Sequence, residues 1–280
     1  MSIEIINFLK DDLNWDIRFL SLLEPLGGLS NNNYKAIYYS NSYFIRLCKP
    51  TILNINRQNE LNIINKSSSL NLCNTPIYFN VSTGNMISKW IDGDMPTELH
   101  INSKNFLSNL CKSLKNLHQL NCEYYFDPFN EIIERIKICN YLKLTLPPYI
   151  NSLIEKLYRL KDELEKNKLI GLCHNDLNIS NILISKTNLY IIDYEFSAMG
   201  DIFFDLATIA WLQSYNGRIN LLKSYFGTFD IADYDKLLKY LYVVKLLNAL
   251  WSLIKSTESL NEYNYVNGAN IIFEELNSEL

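Results

Sequence analysis

The spacing of hydrophobic residues in this chain changes at an Asp-Gly-Asp turn, residues 92–94. Before the turn, apolar and polar residues alternate in short runs, which is typical of half-buried β-strands. After it, apolar residues recur every three or four positions, as in the run from Phe106 to Leu117, which is typical of amphipathic helices. The pattern therefore predicts an α+β fold with two lobes, a small β-rich lobe at residues 1–91 and a larger, mainly helical lobe at residues 92–280.

The individual elements follow from the same spacing. In the small lobe, Gly and Pro positions separate short strands, and one helical run lies among them. In the larger lobe, one β-rich segment interrupts the helices. The predicted strands are 22–28, 34–39, 43–48, 77–81, 85–91, 181–185 and 189–193; the predicted helices are 56–66, 106–120, 129–144, 150–164, 201–215 and 234–257.

Composition and charge exclude several classes of protein. The 280 residues are 48% hydrophobic and 20% charged, so the chain can bury a core and is not mainly disordered. The net charge of −4, with basic residues scattered, gives no attraction to nucleic acid or to an anionic membrane. The N-terminus is acidic where a signal peptide is basic and then apolar, and the longest apolar run, 241–251, is interrupted by Lys245 and Asn248. We expect a cytoplasmic protein that binds neither nucleic acid nor membrane; its oligomeric state is left open.

The β-rich segment at residues 169–193 carries the first candidate site. Two apolar runs joined by a polar three-residue turn predict a hairpin centred on Thr187. In that register Asn181 and Asp193 lie opposite each other, with Cβ atoms about 5 Å apart. An amide oxygen and a carboxylate at this separation can hold one Mg²⁺, because phosphates and water complete its coordination.

A catalytic loop precedes the hairpin. The spacing His174-x-Asp176-x-x-x-x-Asn181 is typical of phosphoryl-transfer enzymes, in which a metal-binding carboxylate follows on the next strand. Asp176 would then accept or orient the proton of an attacking hydroxyl, and His174 would brace the loop. A single Asp or Asn at a turn usually caps the backbone. Three such residues at these offsets around an apolar hairpin favour a catalytic role.

The same stretch resembles a known family. His174-Asn-Asp-Leu-Asn-Ile-Ser-Asn-Ile-Leu183 and the segment 192–207 closely resemble the choline/ethanolamine kinase family, with the bacterial LicA-type choline kinases nearest. The resemblance covers most of residues 20–257, with weaker motifs in the small lobe. It implies the protein-kinase-like fold shared with aminoglycoside phosphotransferases, with Mg²⁺ as cofactor and ATP as phosphoryl donor.

The resemblance assigns several residues of the small lobe to ATP. Arg46 matches the position that grips the nucleotide phosphates, and Glu60 would hold it by an ion pair. The polar loop after Gly28 would meet phosphate through N–H groups and polar side chains, although it lacks G-x-G-x-x-G. The segment 88–91 would hydrogen-bond adenine through its backbone. The residues so assigned are Ser30, Asn31, Asn32, Arg46, Glu60, Ser88 and Trp90.

On the substrate side, the resemblance implies aromatic and acidic residues around an amino-alcohol. A quaternary ammonium offers no hydrogen-bond donor, so aromatic ring faces and negative charge must recognise it. Asp205 matches a position that anchors the catalytic loop, and we assign it to structural support together with His174. The chain has neither Asp-Phe-Gly nor Ala-Pro-Glu, which favours a small alcohol over a protein substrate. The residues assigned to the substrate are Asn178, Glu195, Phe196, Tyr215 and Trp251.

The functional prediction is phosphorylation of choline to phosphocholine by ATP and Mg²⁺. Two departures from the family pattern, Asn248 where a tryptophan is expected and Ala210 where an acid is expected, leave ethanolamine open as the substrate. Thiamine and aminoglycosides are further alternatives. A non-catalytic choline or nucleotide sensor of the same fold is another, although the presence of Asp176, Asn181 and Asp193 opposes it. The sequence also leaves open whether Glu195 contacts metal or substrate.

Overall fold

A five-stranded antiparallel sheet of order β1-β2-β3-β5-β4 dominates the N-terminal part of the chain. One α-helix, α2 (Arg57–Ser69), follows its third strand, and the side chain of Asn56 caps that helix by accepting from the Asn59 N–H at 2.9 Å. A short helix α1 (Ile3–Asn7) continues as a π-helical turn before the sheet. The strands are β1 (Leu20–Leu26), β2 (Asn31–Tyr38), β3 (Asn41–Cys48), β4 (Pro76–Phe79) and β5 (Met86–Lys89).

The computed structural model describes residues 3–26, 28, 31–186, 188–258 and 264–280. The chain forms two compact units. Unit 1 comprises Met1–Met95 and Ser180–Phe196, and unit 2 comprises Pro96–Ile179 and Ser197–Leu280. The division at residues 91 and 92 stays a prediction about domains; the compact units differ from it chiefly because the segment Ser180–Phe196 belongs to unit 1.

The sheet of unit 1 is fixed by its turn chemistry and by one buried face. A two-residue turn joins β2 to β3, with Tyr39 and Ser40 at φ 46° and 64°, the left-handed conformation that matches strand twist in tight hairpins. Apolar residues of the strands are fully buried, among them Ile45 and Leu47 on β3 and Ile87 on β5. They pack with the buried side chains of the N-terminal helical turns in one core cluster.

The predicted loop around residues 28–33 is shorter in the structure than the sequence indicated. β2 begins at Asn31, which pairs with Cys48, while Asn32 pairs with Leu47. The polar Asn run predicts a loop, because Asn is depleted in strands. Antiparallel pairing with β3 supplies backbone partners that override this preference.

Unit 2 is mainly helical, with one small two-stranded sheet, β6 (Ile170–Cys173) paired with β9 (Ala198–Asp201). The predicted helix 201–215 was too long. The helix there covers Phe203–Ala210, and a new helix begins at Tyr215, capped by Ser214, whose side chain accepts from the Gly217 N–H at 3.2 Å. The helices are α3 (Glu98–Ile101), α4 (Lys104–His118), α5 (Pro128–Tyr141), α6 (Ile150–Leu164), α7 (Phe203–Ala210), α8 (Tyr215–Phe226), α9 (Ile231–Glu258) and α10 (Tyr265–Ser278).

Helix α9 is longer and more continuous than its sequence suggested. Within the described ranges it is the one helix long and apolar enough to cross a membrane by length and composition, despite Lys245 and Asn248. Yet 78% of its apolar window is buried inside the protein. That burial is typical of a core helix, and Lys245 forms ion pairs with Glu275 of α10 at 2.7 Å and with Glu279, just after α10, at 3.0 Å.

Candidate active site

The predicted metal-binding hairpin forms in unit 1 from β7 (Ile182–Ile184) and β8 (Leu189–Ile191), with a register that differs from the prediction. The last ladder pair is Ile184 with Leu189. The N–H of Ile192 donates to the carbonyl of Asn181 at 2.9 Å. Asn181 therefore lies across from Ile192 and not from Asp193, so the predicted direct opposition of the two metal-ligand candidates was wrong.

The turn explains this shift of one residue. The strands are joined by four residues rather than three, and Thr187, the predicted midpoint, lies outside the described residues. The Ser185 N–H donates to the Asn188 carbonyl at 2.9 Å, and the Asn188 N–H donates to Ser185 Oγ at 3.0 Å. These bonds pair Ser185 with Asn188, whereas a hairpin centred on Thr187 would pair Ser185 with Leu189. Every pair of the hairpin therefore moves by one position.

Asp193 leaves the ladder in an unusual conformation. Its φ is +67°, in the left-handed region that few residues other than Gly adopt. The carboxylate contacts Arg46, with Nη1 and Oδ1 3.1 Å apart, and the side chain is 31% exposed. A carboxylate oxygen that is held by a cation and still reaches solvent is suited to bind a hard divalent ion, as is the amide oxygen of the buried Asn181. Oxygen donors of these two kinds fit Mg²⁺.

Arg46 and Glu60 form the buried centre of this cluster. Arg46 Nη1 lies 2.7 Å from Glu60 Oε1, and the two side chains are 3% and 0% exposed. Arg46 also donates to the carbonyl of Gly84 from Nε at 3.2 Å and from Nη2 at 3.0 Å. Burial by itself lowers the pKa of Arg46, but Glu60 and Asp193 outweigh it and hold the pKa above its ordinary value. The guanidinium is therefore a fixed positive charge next to Asp193.

A second arginine completes the cluster, and the sequence interpretation missed it. Arg57, at the first turn of α2, reaches Glu60 Oε2 at 2.7 Å and Glu195 Oε2 at 3.0 Å from the same nitrogen, Nη1. The i,i+3 spacing of Arg57 and Glu60 on a predicted helix was the available signal. Burial, with help from the Asp193 carboxylate, raises the pKa of Glu195 to about 7, while Arg46 and Arg57 act in the opposite sense.

Three of the other residues assigned to ATP, Asn31, Asn32 and Ser88, lie on the sheet of unit 1. Ser88, on β5, pairs with Phe44 and is 7% exposed. The backbone N–H of Trp90 donates to the Ser42 carbonyl at 3.0 Å, so this N–H is used within the sheet. The ring of Trp90 lies 4.4 Å from Lys35 Nζ. Asn31 is buried and Asn32 is half-buried on β2, while Ser30 lies outside the described residues. Their roles toward ATP stay predictions.

In unit 2 the predicted catalytic loop is anchored by Asp205, which is fully buried on α7. Its carboxylate accepts from the backbone N–H of His174 at 2.7 Å and from that of Asn175 at 2.9 Å. It also lies 3.1 Å from Nε2 of His118, whose Nδ1 lies 2.7 Å from the Tyr225 hydroxyl. His118 and Tyr225 were not identified from the sequence, since a histidine on an apolar helix face carries no signal of its own.

The loop places Asp176 next to Asn178 and within a braced turn. Asn178 Nδ2 donates to Asp176 Oδ1 at 2.5 Å, so this amide orients the carboxylate. His174 is fully buried, and its Nδ1 accepts from the Asp176 N–H at 3.3 Å. Asn175, between them, has φ +63°, which turns the chain sharply before Asp176. Asp176 is half-buried and so is accessible to a substrate hydroxyl.

Comparison with known proteins decides the family. The sequence pattern of the phosphotransferase enzyme family (APH) matches residues 21–240 of this chain. The chain belongs to this family.

Individual relatives and solved structures are also similar to this phosphotransferase. Protein LicA of Haemophilus influenzae is 25% identical over 261 residues, which cover 86% of this chain and 75% of that protein. The choline kinase LicA from Streptococcus pneumoniae aligns with a TM-score of 0.81 at 23% identity over 98% of both chains, and a structure of LicA in complex with AMP aligns with a TM-score of 0.79 at 23% identity over 98% of both chains. Ethanolamine kinase from Plasmodium vivax aligns with a TM-score of 0.80 at 20% identity over 96% of this chain and 86% of that one. The predicted α+β, protein-kinase-like fold is thus confirmed.

Two aromatic residues assigned to the substrate, Tyr215 and Trp251, lie on helices of unit 2 of this phosphotransferase. Tyr215 begins α8, is 61% exposed and packs edge-on against Tyr234 with ring centroids 5.4 Å apart. Trp251, on α9, is half-buried and packs edge-on against Tyr265 at 6.0 Å. Because the two rings have different aromatic neighbours, a shared pocket for them stays a prediction. Phe196, at the end of the unit 1 segment, is half-buried.

Arg135 on α5 is a further charged residue of unit 2 that the sequence interpretation missed. It is 6% exposed, pairs with Glu131 at 3.0 Å and donates from Nη1 to the Leu247 carbonyl of α9 at 3.2 Å. Burial lowers its pKa, and the carboxylates of Glu131 and Asp176 oppose that effect. The contact with Leu247 lies one helical turn before Trp251, so Arg135 connects α5 to the part of α9 that carries this tryptophan.

Proposed function

We propose that this phosphotransferase is an ATP- and Mg²⁺-dependent kinase of small amino-alcohols, with choline as the first-choice substrate. The observation that carries the proposal is the pairing of buried Arg46 with both Glu60 and Asp193 in unit 1. That pairing is what a kinase needs to hold a cation for phosphate next to a carboxylate for metal. The likeness to LicA supports choline as the acceptor.

In this proposal each half of the chemistry uses groups already described. Arg46 donates to phosphate oxygens of ATP, and Asn181 and Asp193 hold Mg²⁺. Bound Mg²⁺ neutralises charge on the phosphates. Asp176, oriented by Asn178, accepts the proton of the choline hydroxyl.

The hydroxyl oxygen forms a bond to the γ-phosphorus as the bond from that phosphorus to the bridging oxygen breaks, so phosphocholine and ADP result and the proton stays on Asp176. Only four residues of chain separate Asp176 from Asn181, which links the proposed base to the proposed metal ligand through one short loop. Positioning and charge stabilisation are the main contributions of the protein to such a transfer.

Recognition of the alcohol rests on the aromatic side chains of unit 2. Trp251 and Tyr215 offer ring faces to a quaternary ammonium. Ethanolamine is the second candidate, and a specific residue favours it. Asn248 stands three residues before Trp251, at a position where the family pattern expects a second tryptophan. Its amide donates to the Val244 carbonyl at 2.9 Å. A primary ammonium needs acceptor oxygens more than a complete aromatic cage.

The test is an assay of phosphate transfer from ATP in the presence of Mg²⁺ to choline, ethanolamine, thiamine and an aminoglycoside. We expect choline to have the highest kcat/KM, and we expect Asp176→Ala to lower kcat by at least about a hundredfold. Equal activity of wild type and Asp176→Ala would remove Asp176 from the proposed role. Saturable choline binding without turnover in the wild type would replace the kinase with a sensor.

A further inference from the structure

The ion pairs of unit 1, together with the backbone of residues 193–195, close into a ring. Glu60 uses both carboxylate oxygens, one for Arg46 and one for Arg57, each at 2.7 Å. Each arginine has a second carboxylate partner, Asp193 for Arg46 and Glu195 for Arg57. Because Asp193 and Glu195 are two residues apart on one segment, that segment is attached to the buried Glu60 by two separate routes.

A bound nucleotide and its metal ion would weaken one of these two routes and leave the other intact. Phosphate oxygens compete for the guanidinium of Arg46, and a metal ion competes for the carboxylate of Asp193. Nucleotide and metal therefore weaken the route through the 3.1 Å contact of Arg46 and Asp193. The route from Glu60 through Arg57 to Glu195 uses neither of these groups.

Arg57 is itself held tightly in place. Its side chain is 10% exposed, and both carboxylates are bound by Nη1, which carries two N–H groups. A Cβ atom at Gly84 would overlap Nε of Arg57 and lie 2.7 Å from its Cζ, so the guanidinium packs directly on the backbone of this glycine, whose φ is +81°. A lysine would keep the charge but could not reproduce this packing, because it lacks the planar guanidinium that lies against the backbone of Gly84.

We propose that Arg57 is a positioning residue that keeps the Asp193–Glu195 segment fixed to α2 through Glu60 while Asp193 exchanges Arg46 for a metal ion. In this role Glu195 supports nucleotide binding in unit 1 through its contact with Arg57. The alcohol is then recognised by other residues. This role rests on the proposed function, since it presumes a metal–nucleotide complex at Asp193. The main consequence is that loss of Arg57 weakens binding of the nucleotide with Mg²⁺ more than binding of the nucleotide alone.

The experiment compares the affinity for ADP with and without Mg²⁺ in full-length wild type, Arg57→Gln, Glu195→Gln and the double variant. We expect Arg57→Gln to weaken Mg·ADP binding about tenfold and to leave metal-free ADP binding within about twofold. If Arg57 acts through Glu195, the double variant is no weaker than the weaker single variant. Arg18→Gln, which removes an exposed ion pair with Asp16 in the same unit, is the control and should match the wild type.

Several outcomes would overturn this role. Effects of the two single variants that add in the double variant would show that Arg57 does not act through Glu195, and equal loss of ADP and Mg·ADP binding would show a merely structural role. If Arg57→Gln does not fold, Arg57→Lys keeps the charge and should weaken Mg·ADP binding several-fold. A wild type that binds no Mg·ADP would overturn both this role and the kinase proposal. Coupled variants in a protein that does not phosphorylate choline would overturn only the choline proposal.

Discussion

The candidate functional residues of unit 1 and those of unit 2 are held by different kinds of contact. In unit 1, the ring around Glu60 consists of charged side chains that contact other charged side chains. In unit 2, the carboxylate of Asp205 accepts from backbone N–H groups of the catalytic loop and contacts a histidine. Side-chain ion pairs can exchange one partner for another ion, whereas a backbone N–H bound by a buried carboxylate has no competing partner.

This difference matches what each half would have to do. The proposed phosphate and metal ligands of unit 1 must change partners each time a nucleotide binds and leaves. The loop with Asp176 must instead present the same carboxylate geometry in every cycle. We therefore expect the anchored loop to contribute more to stability than the exchangeable ring.

The largest expected effect is at Asp205. Asp205→Ala removes the acceptor of two buried N–H groups and the partner of His118, so we expect the free energy of unfolding to fall by about 4 kcal/mol. Urea unfolding of wild type and variant measures this loss. Asp205→Asn keeps one acceptor oxygen and should lose less. A loss below about 1 kcal/mol for Asp205→Ala would show that the loop does not depend on this anchor.

The next largest effect is at Glu60. Glu60→Gln leaves Arg46 and Arg57 buried next to each other without their shared charge, but Asp193 and Glu195 still partner them. We therefore expect a loss of about 3 kcal/mol in urea unfolding. Glu60→Met removes the polar group altogether. It tests whether the ion pairs of Glu60 outweigh the free energy that is needed to remove its charge from water. If the methionine variant is as stable as the wild type, the ring serves function and not stability.

A smaller effect concerns pH. The pKa of Glu195 is about 7 in the folded protein against an ordinary value of 4.5, so the folded state keeps a proton that the unfolded state releases between these values. Glu195 therefore stabilises the fold at low pH, and that contribution is lost as the pH rises through about 7. In the presence of a chelator, we expect wild type to lose on the order of 2 kcal/mol between about pH 5 and pH 8 relative to Glu195→Gln. Parallel pH profiles for the two proteins would refute this.

The smallest effect is at an exposed ion pair of unit 2. Lys137 and Glu134 lie 2.7 Å apart on α5, but their side chains are 65% and 48% exposed. Lys137→Ala should change the free energy of unfolding by less than about 0.5 kcal/mol, because water screens the pair. A loss of the size expected at Glu60 would mean that burial is not what distinguishes the ring.

Part of the site was predictable because it depends on residues close in sequence. The spacing of His174, Asp176 and Asn181 predicted a braced loop followed by a hairpin, and both are present. The exact pairing was not predictable. It depended on whether the turn held three or four residues, and a single residue there moves Asn181 from facing Asp193 to facing Ile192.

The partners brought from far along the chain could not be read from local patterns. Arg57 and Glu195 are 138 residues apart, and His118 and Asp205 are 87 apart. Each of these side chains looks ordinary in its own helix or turn. Only the packing of the core brings the members of each pair together in a water-poor place, where an unpaired polar or charged group is costly and a partner is required.

The sequence by itself indicated the strands of the N-terminal sheet, the hairpin, the helices α2, α4, α5, α6 and α9 and the candidate catalytic residues, because hydrophobic period and motif spacing act over a few residues. Tertiary structure alone decided that two arginines share one glutamate, that the segment with Asp193 and Glu195 is attached by two routes, and that Asp205 holds the loop at His174 and Asn175. These contacts depend on distance through space and on burial, and neither quantity is written in the local order of residues.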